Sequence, residues 1–296
     1  MGDVKVGISS WTEKTLVKET DFYPRGTKNP EGMLRYYASQ FRIVEADAGF
    51  YRMPSEDTAA KWAERTPRDF TFNVKVFRAF TLHPFTADVL PKDLQGEVSQ
   101  DKKRLYWKDL PEAVQRELLE RFRQAQRPLH FGRKLGALLV QLPKWVFPSH
   151  ETRAHLAALR KAWPDYHLAI EFRDVSWISE KNIERTMEFL RGNDFTYVCV
   201  DEPQVGRTLP PVVKVASPKL AMIRFHGRNA ESWNKRVDTA AERFDYEYSE
   251  AELKEWAPRV RALSEKAEHT HAIFNNCHRD YAVNNAKQLA SLLEVD

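Results

Sequence analysis

Two cysteines in 296 residues, Cys199 and Cys277, are too few for a disulfide framework, and no CxxC pair or Cys/His zinc spacing accompanies them. The thiols therefore read as reduced and intracellular. No glycine-rich phosphate loop is present, neither the Walker nor the dinucleotide fingerprint, so binding of a nucleotide by those devices is excluded. No HExxH pair marks a metalloenzyme. No apolar run approaches the roughly 20 residues of a membrane span. The chain opens directly into a strand pattern, without a basic-then-apolar leader. The expectation is a soluble, cytoplasmic protein with no membrane partner. Charge of one sign is also scarce, because 46 basic against 42 acidic residues leave only +4. That balance suits an anionic ligand but does not announce nucleic acid.

An apolar fraction of 42% and an aromatic fraction of 12% supply a packed core, and the length fits one large α/β barrel or two ordinary domains. The stretch His167 to Trp177 (HLAIEFRDVSW) organises the reading. Leu168, Ile170 and Phe172 alternate with Ala169, Glu171 and Arg173, as in a strand with two distinct faces. If the apolar set meets helices, Glu171 and Arg173 face inward at the strand's C-terminal end. Seven further strand patterns occur, at Val4–Ser9, Phe41–Asp47, Phe70–Val76, Leu135–Leu142, Phe195–Asp201, Leu220–His226 and His271–Asn276. Helices are predicted from Pro30 to Gln40, after Ser55 to Arg65, Pro111 to Gln126, Glu151 to Ala162, Glu180 to Leu190 with a left-handed Gly192-Asn193 cap, after Ser249 to Glu268, and Tyr281 to Leu293. Residues 12–29 read as a polar loop. No linker, internal repeat or low-complexity segment interrupts the pattern. Eight strands alternating with helices predict one α/β domain over residues 1–296, a single (β/α)8 barrel of the TIM type. Its irregularities are a long insertion after the third strand, over 77–110, and a sixth βα unit that lacks a clear helix.

The strands end in polar or ionisable residues while their starts and middles are mostly apolar. The set comprises Trp11, Glu45 with Asp47, Lys75, Gln141, Glu171 with Arg173, Asp201, Arg224 with His226, and Asn275 with Asn276. In a barrel these ends converge on the face that carries active sites. His226, Glu171, Glu45 and Lys75 are the catalytic candidates. His226 leads as a general acid/base because an imidazole titrates near neutrality, and Lys75 is a point charge for an anion or a Schiff-base nucleophile. Arg173 and Arg224 are the candidate grip on a carboxylate or phosphate, with Trp11, Tyr51 and Trp177 as stacking surfaces and Gln141, Asp201, Asn275 and Asn276 completing the binding set. The competing explanation is structural: Lys75, Glu45 and Glu171 could simply neutralise one another inside the barrel, since an unpaired buried charge is costly. A divalent ion (Mg²⁺, Mn²⁺ or Zn²⁺) could draw on Glu45, Glu171, Asp201 and His226, but three cations share that face, which makes metal dependence the minor alternative.

Eight short motifs carry a resemblance in order along the chain: Gly7-Ile8-Ser9-Ser10-Trp11, Tyr36-Tyr37-Ala38, Val44-Glu45 with Phe50-Tyr51 and Pro54, Phe72-Asn73-Val74-Lys75, Leu139-Val140-Gln141-Leu142-Pro143, Glu171-Phe172-Arg173 with Ser176-Trp177, Arg224-Phe225-His226-Gly227, and Phe274-Asn275-Asn276. Together they resemble the YecE-like family, a domain of unknown function. The resemblance implies a TIM-like barrel and carries no activity with it. In place of the family's Asn-containing stretch after Glu45, this chain has Asp47-Ala48-Gly49, which adds a negative charge.

The leading expectation is an enzyme performing acid/base chemistry on a small anionic, sugar-phosphate-like substrate, with hydrolase, lyase and isomerase chemistry left open. Two alternatives stand beside it. One is a nucleic-acid-processing or nucleic-acid-binding barrel, resting on basic patches such as Arg121 to Lys134 and on exposed aromatics near the barrel mouth. The other is a non-catalytic ligand-binding barrel. Oligomeric state is not legible.

Overall fold

The structure, a computed structural model, describes residues 2–295 apart from 236 and 238. Eight parallel strands close a barrel in sequence order: β1 (Asp3–Ser9), β2 (Ile43–Ala46), β3 (Thr71–Lys75), β4 (Leu135–Gln141), β5 (Leu168–Glu171), β6 (Phe195–Asp201), β7 (Leu220–Phe225) and β8 (His269–Phe274). β1 closes the ring by pairing with both β2 and β8. The register sets Ser9 opposite Glu45, Gln141 opposite Glu171, and Arg224 opposite Ile273. The polar strand ends therefore lie at one level, at the C-terminal mouth.

Helices pack outside through side-chain caps and apolar stripes. Asn29 accepts from Gly32 N at 2.9 Å to start Pro30–Gln40, whose proline sits in the first turn where its missing N–H is harmless. Ser55 and Ser149 start Glu56–Glu64 and His150–Ala162 in the same way. Ser249 and Glu252 form a reciprocal capping box for Glu250–Ser264. Glu112–Ala125 buries Val114, Leu118, Phe122 and Ala125, three to four residues apart, against the core.

Several expected boundaries shift. Residues 12–29 contain a helix, Lys14–Glu19, because the Glu13 carboxylate accepts from Thr15 N and Leu16 N at 2.6 and 3.0 Å. With only Leu16 buried, six residues show no helical period. The helix expected from Glu180 begins at Ile183, and the left-handed residue after it is Asp194 (φ 51°), not the Gly192-Asn193 pair. The helix after Ser249 stops at Ser264. Between β3 and Glu112 the chain makes three 3₁₀ turns and one bridge, Phe85 to Leu105. Among the described residues no helix is long and apolar enough to cross a membrane.

Candidate active site at the barrel mouth

Arg224, fully buried near the end of β7, is the centre of the barrel mouth. Its Nε donates to Glu45 Oε2 at 3.0 Å and its Nη2 to Glu45 Oε1 at 2.5 Å, a two-pronged contact. Its Nη1 donates to Glu171 Oε2 at 2.5 Å and to Gln141 Oε1 at 3.2 Å. Three strands thus converge on one guanidinium. Burial works against the Arg224 charge, yet Glu171 and Glu45 more than offset it and hold its pKa above the usual arginine value.

The two carboxylates respond differently. Burial, the largest influence on Glu171, would raise its pKa, but Arg224, His226 and Arg173 together hold it well below the usual range. Glu45 is pushed up to about 7 by burial, with Arg224 opposing and Asp47 adding to the rise. Ser9 gives a geometric reason for a proton here. Its hydroxyl lies 2.9 Å from Glu45 Oε1 and 2.8 Å from Asp47 Oδ2, and one O–H can donate to only one of them. The other contact needs a proton on a carboxyl group.

His226, the foremost acid/base candidate, is held at both ring nitrogens. Asn275 Nδ2 donates to Nδ1 at 2.9 Å, leaving Nε2–H to donate to Glu171 Oε1 at 3.0 Å. Burial takes its pKa down to about 3 despite Glu171, and Trp233 and Phe244 cover the ring at centroid distances of 6.2 and 5.9 Å. His226 is a neutral, sealed part of the network with no nitrogen left for a substrate.

The expected pairing of Arg173 and Arg224 on one anion also needs correction. Arg224 is consumed by protein carboxylates. Arg173 is the arginine that reaches outward: its Nη1 lies 3.3 Å from Glu171, its guanidinium lies over Trp233 at 5.2 Å, and 17% of its side chain is exposed. Its Nη2 stands 3.1 Å from Glu202 Oε2 as a charge contact, not an aligned hydrogen bond. Lys75 makes no ion pair with Glu45 or Glu171, contrary to expectation; its ammonium lies over the Phe50 ring at 4.7 Å.

Other expected residues lie elsewhere. Asp201 points away from the barrel interior, accepting from Arg228 and, at 2.6 Å, from Trp256 on Glu250–Ser264. The inward acid at the end of β6 is its neighbour Glu202. With Asp201 outside, and Glu45 and Glu171 bound to Arg224, the four proposed metal ligands do not assemble. Among the described residues no other group of three or more His, Cys, Asp or Glu could hold a metal ion. Asn276 braces the backbone at Tyr246 and the side chain of Asn285. Trp11 packs edge-on against Trp62 and Phe72, and Trp177 is buried in a stack on Phe172. Of the three expected stacking rings only Tyr51, 60% exposed, is open to solvent.

Above this floor lies a cleft of about 190 Å³ lined by Gln141, Arg173, Lys144, Arg243, His83, Trp145, Trp233 and Asn234, with Leu142 and Pro143. A second cleft, about 390 Å³, shares Lys144, Trp145, Arg173, Trp233 and Asn234 with it and extends to Arg207. No carboxylate lines the first among the described residues; Asp174, the acid of the second, is held by Arg207 at 2.6 and 2.7 Å. His83, Lys144, Arg243 and Glu202 escaped the sequence reading. His83 and Lys144 lie in loops and Arg243 ends a helix of only four residues, Ala240–Arg243, so none shows a period, and Glu202 follows a strand that is buried on both faces.

The fold and mouth define a (β/α)8 barrel with a buried Glu–Arg–Glu–His network beneath a cation-lined cleft. The chain belongs to the family described as protein of unknown function DUF72, whose model matches residues 5–296. A curated relative, UPF0759 protein YunF of Bacillus subtilis (strain 168), is 28% identical and covers 99% of this chain and 95% of its own. Solved DUF72 family proteins share the fold. That from Thermotoga maritima MSB8 is 33% identical with a TM-score of 0.77, covering 99% of both chains. That from Enterococcus faecalis V583 is 27% identical with a TM-score of 0.81, covering 99% of this chain and 96% of its own.

Proposed function

We propose that the protein is an enzyme performing acid/base chemistry on a small anionic substrate, bearing a phosphate or carboxylate, at the C-terminal mouth. The observation that carries this is the cleft in which Arg173, Lys144 and Arg243 face one another with no lining carboxylate among the described residues. Lys144 and Arg243 have no carboxylate within salt-bridge distance among the described residues, and beside Arg173, which Glu171 and Glu202 only partly offset, they form a field that an anion satisfies. Gln141 reaches both this cleft and Arg224, so the ligand would sit directly on the buried network. The anion-binding role passes from the pair Arg173 and Arg224 to Arg173, Lys144 and Arg243.

In the stretch from Arg121 to Lys134, on which the nucleic-acid alternative draws, three of the cations are already engaged within the chain. Arg121 is paired with Asp93 and Glu117, Arg123 with Glu120, and the Lys134 ammonium donates to Ala63 O and Thr66 O at 2.6 and 2.7 Å. Calorimetric titration with inorganic phosphate and sulfate at low ionic strength tests the proposal. Binding by the wild type, weakened at least about tenfold in Arg173→Gln, is expected from the loss of a charge-assisted contact. No heat of binding in the wild type overturns it. Turnover of phosphorylated or carboxylated sugars, followed by NMR, separates an enzyme from a non-catalytic binder.

A further inference from the structure

With His226 sealed, a reaction in the cleft needs another proton carrier, and the long connection after β3 supplies one. We infer that His83 is the group that exchanges a proton with the bound anion, through an unprotonated Nε2 that faces the cleft. This deepens the anion-binding reading above and rests on it.

The argument begins at Thr81. Its hydroxyl donates its one proton to Arg78 O at 3.0 Å, because a carbonyl can only accept. The same oxygen lies 2.8 Å from His83 Nδ1. Having spent its proton, Thr81 can only accept there, so Nδ1 carries the hydrogen and Nε2 keeps a lone pair. A neutral imidazole has one nitrogen of each kind, and the partner of one sets the state of the other. His83 itself lines the cleft with Gln141, Arg173, Lys144 and Arg243. The ring is clamped edge-on by Phe50 at 5.1 Å and Trp145 at 5.9 Å. Between the two residues the chain holds Leu82 at φ 64°, a left-handed conformation that a leucine adopts at a cost. Such strain is retained where the surrounding structure requires a particular presentation.

The electrostatics suit a base that becomes competent only when loaded. Burial takes the His83 pKa down to about 3, reinforced by Lys75 at the end of β3, by Arg78 in the segment after it and by Arg173 just beyond β5. Lys144 and Arg243 face it across the cleft. In the empty cleft these charges oppose imidazolium. A bound dianion offsets them and favours it, so proton uptake follows ligand binding. In the step itself, the Nε2 lone pair takes the proton of an acidic O–H or C–H of the substrate. An N–H bond forms, the substrate bond to hydrogen breaks, and its electron pair stays on a substrate held by Arg173. The reverse transfer returns the proton to product.

Long-range ¹H–¹⁵N NMR of the full chain, with His83→Gln identifying the signals, reads the tautomer directly. The expected result at neutral pH is a protonated Nδ1 and an unprotonated Nε2. The opposite tautomer overturns the inference whatever the cleft binds. Titration is then repeated with saturating sulfate, which carries no exchangeable proton near neutrality. The His83 midpoint should rise by about one to three pH units, as a nearby opposite charge dictates. Sulfate binding that is sensitive to Arg173→Gln but leaves the His83 midpoint in place overturns the role of His83 and spares the anion site. An absence of sulfate binding overturns both.

Discussion

Replacing Arg224 with methionine removes one cation from between two fully buried carboxylates and keeps much of the side-chain volume. Breaking a buried ion pair from one side costs about 3–5 kcal/mol, because the remaining charge is left without compensation. For a 296-residue chain with an unfolding entropy of about 2.1 cal/mol/K per residue, this corresponds to a fall in melting temperature of roughly 5–8 °C. The loss should depend on pH in a defined direction. Glu45 already holds its proton up to about pH 7 with Arg224 in place. Without Arg224 its pKa climbs further, so the variant's folded state binds protons more tightly than its unfolded state. Stability of the variant then falls as pH rises from the ordinary carboxyl range through neutrality. The penalty is therefore largest near pH 8 and smaller near pH 5.5. Adding Glu171→Gln should recover part of it, since neutralising both partners leaves less uncompensated charge. Thermal melts of the three proteins at both pH values decide the matter. A fall of less than about 2 °C at pH 8, or a penalty that grows on acidification, refutes the network's role.

Glu45→Gln isolates the proton held near Ser9: a folded pKa of about 7, above the unfolded value, makes Glu45 a source of stability loss as pH rises from about 5 to about 8. The difference between wild type and variant in urea midpoints should trace that window, and parallel curves would show that Glu45 is ionised throughout. Lys75→Met should cost no more than about 1 kcal/mol, the scale of the contact with Phe50 that it loses; a loss several times larger in urea melts would reveal an ion pair. Asp201→Asn should destabilise by about 1–3 kcal/mol through Arg228 and Trp256, while calorimetry finds sulfate affinity unchanged. Altered affinity would put Asp201 back at the mouth.

The barrel was legible because its signal is redundant. Each strand is a short apolar run followed by a polar end, and signals such as Pro30, Ser55 and Ser249 announce the helices that follow. The network was legible as a set of residues but not as a set of bonds. Period-two alternation identifies the inward face of β5 and β3, and so it found Glu171, Arg173 and Lys75. It does not say which carboxylate a guanidinium takes, so Arg224 was expected to hold substrate and instead holds Glu45 and Glu171. In β6 the alternation fails outright. Residues from Phe195 to Asp201 are all buried, so sequence offers no choice between Asp201 and Glu202. Choosing the acid at the strand's last position placed the site one residue, and one barrel face, away. Residues in loops or in helices of a single turn carry no period at all. His83, Lys144 and Arg243 meet only because the chain between β3 and Glu112, the turn after β4 and the segment after β7 fold over the same mouth.

Charge is divided unevenly between the two levels of the mouth. In the floor, one cation serves two carboxylates, and a hydroxyl and an amide complete the bonding, so the interior is close to balanced at the cost of a proton on the Glu45–Ser9–Asp47 group. At the rim, Lys75, Arg78, Lys144 and Arg243 have no carboxylate within salt-bridge distance among the described residues, although Lys102, Arg121 and Arg123 on the surface of the same chain all do. Positive charges gathered without counter-charge repel one another and oppose folding. A fold that pairs its buried arginine so fully, yet leaves its rim cations unpaired around a cleft, concentrates the departure from charge balance in one place. Local inconsistency of this kind is expected where a site serves a ligand rather than stability. The balanced floor fixes Glu171, Glu171 steadies Arg173, and Arg173 presents the remaining positive charge to the cleft.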